Sequence, residues 1–462
     1  MKLNIIHTND LHSHFDAFSR AVSIIKEYGD EDTLILDGGD FADFKSIELQ
    51  GTRGMAAIEL LEYAGYAALT IGNNEMFNGV DTLEYMASNS GVPFISNNLL
   101  KRDRTRIDGV CSSTILEKKG LRILITGASP DMQDFSDGLG VHMTDYKSAI
   151  MKELEIQQGN YDLCILLNHL GTFVDDELVG ELKGVDIILS AHDHKLYPHS
   201  KVVNNTIMNS AGCYGEYVGV IEIDVNEDGI ELLHSQNIGT KDAQRDEGVL
   251  SILAKNKEKA IEVLSEPLYS IEEPLWHDVV EENPLTNLIA DGVKDMLGCE
   301  IGLMNGGIAN AGVFGYISNK KLIEVCPSPL NPTSFEIQGK YIREAFEQSL
   351  DAGVCLNEGR GPGFRGRFVG SLHVSGAEVV HDGKRVLEVL IGGELLDEDR
   401  WYKAASSDYL QRGSGYPSLA NNRNENYLAE EIKDVIRIYA RRSDSVKQAA
   451  VNRWKVRADV II

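Results

Sequence analysis

Basic residues are scarce in this chain: 44 lysines and arginines stand against 71 aspartates and glutamates, a formal net charge of -27 over 462 residues. A surface of that sign repels the phosphate backbone of nucleic acids and the headgroups of anionic membranes, so neither is expected as a partner. A small phosphorylated molecule stays open, because metal ions and local arginines can offset the charge within one cleft. Cysteine is sparse as well. Cys111, Cys164, Cys213, Cys299, Cys326 and Cys355 are scattered with no Cys-x-x-Cys pair, in a chain far too long to depend on disulfide stapling, and reduced thiols are expected. No apolar run reaches the ~18 to 20 residues that span a bilayer. The first residues, Met1 to His7, lack an apolar core of signal-peptide length. A cytoplasmic protein without membrane contact is the expectation.

What is present reads as an ordinary globular composition, 43% apolar and 25% charged. The length exceeds what one hydrophobic core usually serves and favours two domains of roughly 200 to 250 residues. From residue 3 to about 225, short β-rich runs (Leu3 to His7, Leu34 to Leu36, Ala68 to Ile71, Leu163 to Leu167, Ile187 to Leu189) alternate with amphipathic helix candidates at Phe18 to Tyr28, Gly54 to Tyr63 and Asp145 to Ile156. That alternation predicts a layered α/β domain over 1–240. Residues 241–266 are charged, lack strand character and read as a helical linker. A second domain over 267–462 is predicted, with strands at Ile301 to Met304, Ser334 to Ile337 and Val386 to Ile391 and helices at Pro284 to Leu297 and Gly339 to Leu350.

Each strand of the first domain runs into polar, mostly glycine-containing sequence, and in α/β sheets ligands bind where such strand ends converge. Asp10-Leu11-His12 puts a carboxylate and an imidazole two residues apart, which on an extended strand end point to one side. Asp40, Asn73, His169, His192 and His194 complete a set of oxygen and imidazole donors, a mixture that suits Mn, Fe, Zn or Co better than Ca. Each element alone is an ordinary turn or polar residue. Five of them in order, each after an apolar strand, point to a metal site.

The order Asp10-Leu11-His12, Gly39-Asp40, Gly72-Asn73-Asn74-Glu75, His169 and Ala191-His192-Asp193-His194, preceded by His7-Thr8-Asn9, resembles the calcineurin-like metallophosphoesterase superfamily, and within it the bacterial 5'-nucleotidase family. The resemblance implies an α/β (α+β) protein: a four-layer metallophosphoesterase β-sandwich flanked by helices, followed by a C-terminal α/β nucleotide-binding domain. It places Asp10, His12, Asp40 and His194 on one divalent transition metal ion and Asp40, Asn73, His169 and His192 on a second, with Asp40 between them. Two such ions clamp a phosphoryl group and hold a bridging hydroxide as nucleophile. The implied substrate is a small nucleotide.

The second domain resembles the family's less closely, through Asn305-Gly306-Gly307, His373-Val374-Ser375-Gly376 and Asp408-Tyr409-Leu410. There the family grips a base between two aromatic rings, and Tyr409 is the candidate for one. The second ring is missing, since Cys326-Pro327-Ser328-Pro329 stands in its segment. The arginine expected after Gly307 is also absent, and Arg365 and Arg367 in a glycine-rich stretch are the replacement cations, Asn305, Gly306 and Gly307 remaining as backbone contacts.

The largest departure is at the metal motif. The family's histidine after the ligating asparagine, and the aspartate three positions on that holds it, are Asn74 and Phe77. An amide can donate a hydrogen bond to a developing oxyanion but cannot transfer a proton. The substrate class implied is therefore a nucleotide phosphoanhydride or activated ester. The alternatives are a conventional or 2',3'-cyclic-nucleotide phosphoesterase, and a nucleotide sensor of weak activity. His14, two residues beyond His12, is either a substitute proton donor or a solvated loop histidine.

Overall fold

A computed structural model describes residues 1–132, 136–226, 229–361 and 363–457. They divide into two compact units, Met1–Val263 and the chain from Leu264 onward. The first is a sandwich of two sheets. One has seven strands, in the order Gly229–Gly239, Tyr217–Asn226, Lys2–Thr8, Leu34–Asp37, Ala68–Thr70, Phe94–Ile95 and Val110–Cys111. The other has six, in the order Lys201–Val203, Thr206–Asn209, Ile187–Ser190, Leu163–Asn168, Leu121–Thr126 and Ser113–Lys118.

The two-residue period of each strand decides which layer it feeds. Leu3 and Ile5 face Leu163, Ile165 and Leu167 in the core between the sheets. Ile6 faces outward, into a core with helices Phe15–Tyr28, Met55–Ala64 and Val80–Ser88. Cys164 and Leu166 face the opposite way, toward helices Tyr146–Gln157 and Thr172–Leu178. Strands buried on both faces carry continuous apolar runs, and that is why these segments were legible. The result is the helix, sheet, sheet, helix layering expected. The long hairpin Tyr217–Asn226 to Gly229–Gly239 was not foreseen, because its outer strand alternates exposed and half-buried residues and offers no apolar run.

Residues 241–263 group with the first unit. Helix Glu247–Ser265 buries Val249 and packs Ile252 and Leu253 against the outer core. Its Ala260 lies so close to Gly51 that a Cβ on the glycine would meet it at 2.4 Å.

The second unit holds a five-stranded sheet, Leu372–Ser375, Ile301–Asn305, Trp401–Ser407, Pro332–Gln338 and Asn422–Tyr427, beside a four-stranded one and a two-stranded ribbon. Its central helix Pro284–Leu297 starts on Asn283, whose side chain accepts from Thr286 N at 3.0 Å, and stops at Gly298 with φ 59°. This is the usual signature of a capped start and a left-handed glycine stop. Asn283 also donates, from its backbone and its amide, to Nε2 of the fully buried His373, both at 3.0 Å.

An Nε2 that accepts two hydrogen bonds has no place for a proton, and burial lowers the His373 pKa from 6.5 to about 3. Its contribution to stability is therefore complete above pH 6.5 and is lost as pH falls toward 3. At ~1.4 kcal/mol per unit, the second unit should lose about 2 kcal/mol by pH 5. Urea unfolding at pH 7 and pH 5 measures it, and His373→Asn should flatten the difference. An equal pH slope in the variant would refute the assignment.

Candidate metal centre

Parallel pairing in register sets Thr8 beside Asp37, Asp37 beside Leu69 and Asn168 beside Ser190. The turns that follow these strands therefore open on one rim of the first unit. The backbone there is strained. Of the thirteen non-glycine residues with positive φ among the described residues, seven are Asp10, His12, Ser13, Asp40, His192, His194 and Tyr214. Left-handed backbone at residues other than glycine costs of order 1 kcal/mol or more each, and it gathers where side chains must be aimed. This corrects the extended geometry expected of Asp10-Leu11-His12. The strand ends at Thr8. Asp10 (φ 51°) and His12 (φ 48°) lie in a left-handed turn that drives Leu11 into the core and leaves both donors facing the rim.

The donors assemble in two groups. Ligand atoms of Asp10, His12 and His194 lie within 4.8 Å of one another, and so do those of Asp40, His169 and His192. The groups interlock: Asp40 Oδ2 is 3.3 Å from His169 Nε2 and 3.6 Å from His12 Nε2, and Asp10 Oδ1 is 3.8 Å from His169 Nε2. His12 and His194 bring their Nε2 atoms to 3.0 Å. The backbone N–H of His192 donates to both Asp10 oxygens at 3.0 to 3.1 Å, which ties two loops 182 residues apart.

The fit to a cation rests on atoms left without partners. His169 gives its Nδ1–H to the Gly38 carbonyl at 2.8 Å, which turns Nε2 toward the carboxylates, and this buried atom has no hydrogen bond. The side-chain oxygen Oδ1 of Asn73 is likewise buried and unpaired. Buried polar atoms are almost always paired, and two orphans, one of them 3.3 Å from Asp40 and 3.8 Å from Asp10, mark a place for a cation. The electrostatics agree. Burial pulls His169 down, yet Asp40 and Asp10 outweigh it and push it up to about 10. Burial works against an ionised Asp40 as well, but His169 and His12 hold that carboxyl far below its ordinary value. Burial takes His12 down to about 4. The carboxylates demand positive charge: a proton on His169 meets that demand in part, and a cation would take the proton's place.

Several residues outside the donor set hold it in place. Glu75, fully buried, accepts three backbone N–H groups: Asp40 and Gly72 on Oε2 at 3.0 and 2.9 Å, and Ala42 on Oε1 at 2.9 Å. Glu75 stands in the Gly-Asn-Asn-Glu motif, but its role was not readable there. Asp193 accepts both the N–H and the hydroxyl of Thr172, joining the His169 loop to the His192-Asp193-His194 turn. A Cβ at Gly72 would meet Asp40 Oδ1 at 2.2 Å, so only glycine admits the carboxylate there.

Tyr214 had no sequence signal. Its N–H donates to the Asp10 carbonyl at 2.8 Å, and its ring lies 5.6 Å from His12, 5.3 Å from His194 and 4.4 Å from His14, stacked on the last. Tyr214→Ala should weaken metal binding ~10-fold by releasing both imidazoles, with Tyr214→Phe close to wild type. Titration against a competing chelator reads this out, and an unchanged affinity in Tyr214→Ala would sink it.

The remaining expected site residues are placed differently. Asn74 does not point its amide at open space: its N–H and Nδ2 each donate to Asp40 at 2.7 Å, one to each carboxylate oxygen. Phe77 ends the short helix Asn73–Met76 with its ring 46% exposed. His14 is exposed, its ring contact is Tyr214, and burial followed by Lys45 lowers its pKa.

In the second unit Asn305 spends its Nδ2 on the Val369 carbonyl at 2.6 Å, and the N–H groups of Gly306 and Gly307 go to Ser371 and Val369. Those three residues brace a neighbouring strand entry, and their N–H groups are not free for a ligand. Arg365 and Arg367 are exposed, Arg367 lying 4.9 Å over the ring of Phe368. Tyr409 is fully buried and stacked on Phe364, centroids 4.2 Å apart at 19°. Phe364 of the Arg-Gly loop thus covers one face of Tyr409, and at that separation no planar group fits between the two.

Comparison with known proteins is consistent with this geometry. A model of the calcineurin-like phosphoesterases matches residues 3–196, and one of the 5'-nucleotidase C-terminal domain matches 264–421. An uncharacterised metallophosphoesterase of Bacillus subtilis, YunD, is 28% identical over 94% of this chain and 98% of its own. Among solved structures, the 5'-nucleotidase precursor of Thermus thermophilus superposes with a TM-score of 0.58 at 22% identity, covering 99% and 100% of the two chains. The NAD nucleotidase of Haemophilus influenzae does so at 0.67 and 13%, covering 99% of each.

Proposed function

Because the chain belongs to the metallophosphoesterases of 5'-nucleotidase type, and is on that ground a metal-dependent phosphoesterase, we propose that it hydrolyses nucleotide-type phosphates whose leaving group departs without a proton. Asp10, His12, Asp40 and His194 would hold one divalent transition cation, and Asp40, Asn73, His169 and His192 a second. Such cations supply Lewis-acid stabilisation of a phosphoryl group and a nucleophile drawn from water at neutral pH.

The chain's own residues prepare the place. The Gly38 carbonyl fixes the His169 tautomer, Glu75 fixes the backbone on either side of Asp40, and the His192 N–H orients Asp10. Such outer contacts keep donor atoms aimed without reorganisation during the reaction.

The observation that carries the leaving-group reading is Asn74. Its backbone N–H and one hydrogen of its amide are spent on Asp40, and an amide has no proton to transfer. His14, the other candidate donor, is exposed and stacked on Tyr214, which favours the solvated alternative. When water attacks phosphorus and the bond to the leaving oxygen breaks, a phosphate leaves as an anion. A nucleoside alkoxide needs the missing acid, a deficit of ~10² to 10⁴ in rate.

A metal-supplemented screen tests this. Nucleoside diphosphates or their derivatives should turn over about 10² faster than AMP, in line with that range. AMP hydrolysed faster than every diphosphate would refute the leaving-group reading, and no turnover of any phosphoester would refute the hydrolase reading itself.

A further inference from the structure

We infer that the first unit carries a second anion site, sharing no residue with the metal cluster, in a cleft of about 480 Å³ where Arg104, Arg106 and Lys152 offer unpaired positive charge to a small phosphorylated molecule. The cleft lies between one face of helix Tyr146–Gln157, which presents Ser148, Ala149, Lys152, Glu153 and Ile156, and the chain from Ser96 to Ser112. A volume of this order is that of a small-molecule pocket.

Three observations carry the assignment. The first is charge. In a chain of net -27, many cations find a carboxylate, as Lys101 finds Glu84 beside the cleft at 2.5 Å. Arg104, Arg106 and Lys152 form no ion pair with any described residue. Asp145 and Glu153 also line the cleft, but each is engaged: Asp145 accepts the Ser148 N–H at 2.8 Å, and the buried Glu153 accepts from Ser113 Oγ at 2.5 Å and Gln157 Nε2 at 3.1 Å. Three free cations against two engaged carboxylates leave a positive cleft on a negative protein, and arginine forks match phosphate oxygens.

The second is a built loop. Arg104 stands at φ 68° in a turn closed by Arg104 N to Lys101 O at 2.7 Å and Lys101 N to Thr105 O at 2.9 Å. Asp103 accepts both the N–H and the hydroxyl of Thr105. Left-handed backbone at an arginine is unfavourable and persists where its surroundings impose it.

The third is an orphan acceptor. Thr126 gives its hydroxyl hydrogen to the Ser112 carbonyl at 2.9 Å, so it accepts from Asn97 Nδ2, which leaves Asn97 Oδ1 buried in the cleft wall without a partner. Leu99, Ile107 and Val110 supply apolar walls. The ligand that fits is therefore a phosphate-class head on a body with an apolar part.

Phenylphosphonate is the probe, because its carbon–phosphorus bond survives a phosphoesterase and binding is read without turnover. Calorimetric titration of the metal-loaded full chain should show one more equivalent bound in the wild type than in Arg104→Glu/Arg106→Glu/Lys152→Glu. All three side chains are exposed, and matching thermal midpoints would verify that the variant folds. The single change Arg106→Gln should weaken that same equivalent about 10-fold and leave the other untouched. Equal stoichiometry and affinity in the wild type and the triple variant would overturn the site. Whether the protein hydrolyses anything does not enter this outcome.

Discussion

Asp40→Asn is expected to lower turnover of an aryl phosphate by about 10² to 10⁴, the equivalent of the ~3 to 5 kcal/mol lost when one member of a buried charged set is removed. The substitution keeps the volume of a side chain that is 2% exposed, so the effect isolates charge and bonding from packing. Asp40 is where the two donor groups meet, 3.3 Å from His169 and 3.6 Å from His12. It also accepts from the backbone N–H and the side-chain amide of Asn74. An amide at position 40 offers one oxygen where two are used, and its own NH₂ confronts either the amide of Asn74 or an imidazole. Metal content should fall with activity, which elemental analysis after dialysis measures. A variant that keeps full metal content and turnover within a few-fold of wild type would remove Asp40 from the centre.

Glu75→Gln should act at one remove and still cost more stability than most buried substitutions. The carboxylate accepts from three backbone N–H groups on two loops, those of Asp40, Ala42 and Gly72. Burial and Asp40 push Glu75 up to about 7, so the carboxylate is charged above that pH, where hydrogen bonds to a charged acceptor contribute ~1.5 to 3 kcal/mol each; glutamine forfeits at least one while turning a donor toward a donor. A destabilisation of about 2 to 4 kcal/mol in urea unfolding follows from these values. Metal affinity should fall ~10- to 100-fold, as for other residues that hold a ligand without being one. The diagnostic feature is that saturating metal should restore part of the turnover, since the donors remain present. Unfolding and metal binding both at wild-type values would show that the three bonds are incidental.

Much of the first unit was legible because its strands are buried on both faces. Leu3 to His7, Leu163 to Leu167 and Ile187 to Leu189 are continuous apolar runs, and the observed strands differ from them by a residue or two. The donors were legible for a related reason. A buried strand must end in polar residues, and seven metal-capable side chains at such ends stand out against the apolar sequence before them. What stayed illegible depends on partners far along the chain. Tyr214 is an unremarkable tyrosine in a turn until it lies against His12, His14 and His194. Phe364 sits in a loop of glycine and arginine, where no periodicity marks a buried ring, and it covers the face of Tyr409.

By itself the sequence determined the layered α/β class and singled out the candidate donors from Asp10 to His194, which follow from local pattern and residue chemistry that the chain carries before it folds. Its resemblance to the 5'-nucleotidase family added that Asn74 stands in a histidine's place. Only the tertiary structure decided how those residues are used. It put Asp10, His12 and Asp40 on left-handed backbone, committed Asn74 to Asp40 and gave Glu75 three N–H groups to hold. It also laid Phe364 over one face of Tyr409 in the second unit. Each of these is set by contacts between loops tens to hundreds of residues apart, such as Asp10 with His192, whose geometry no local pattern encodes.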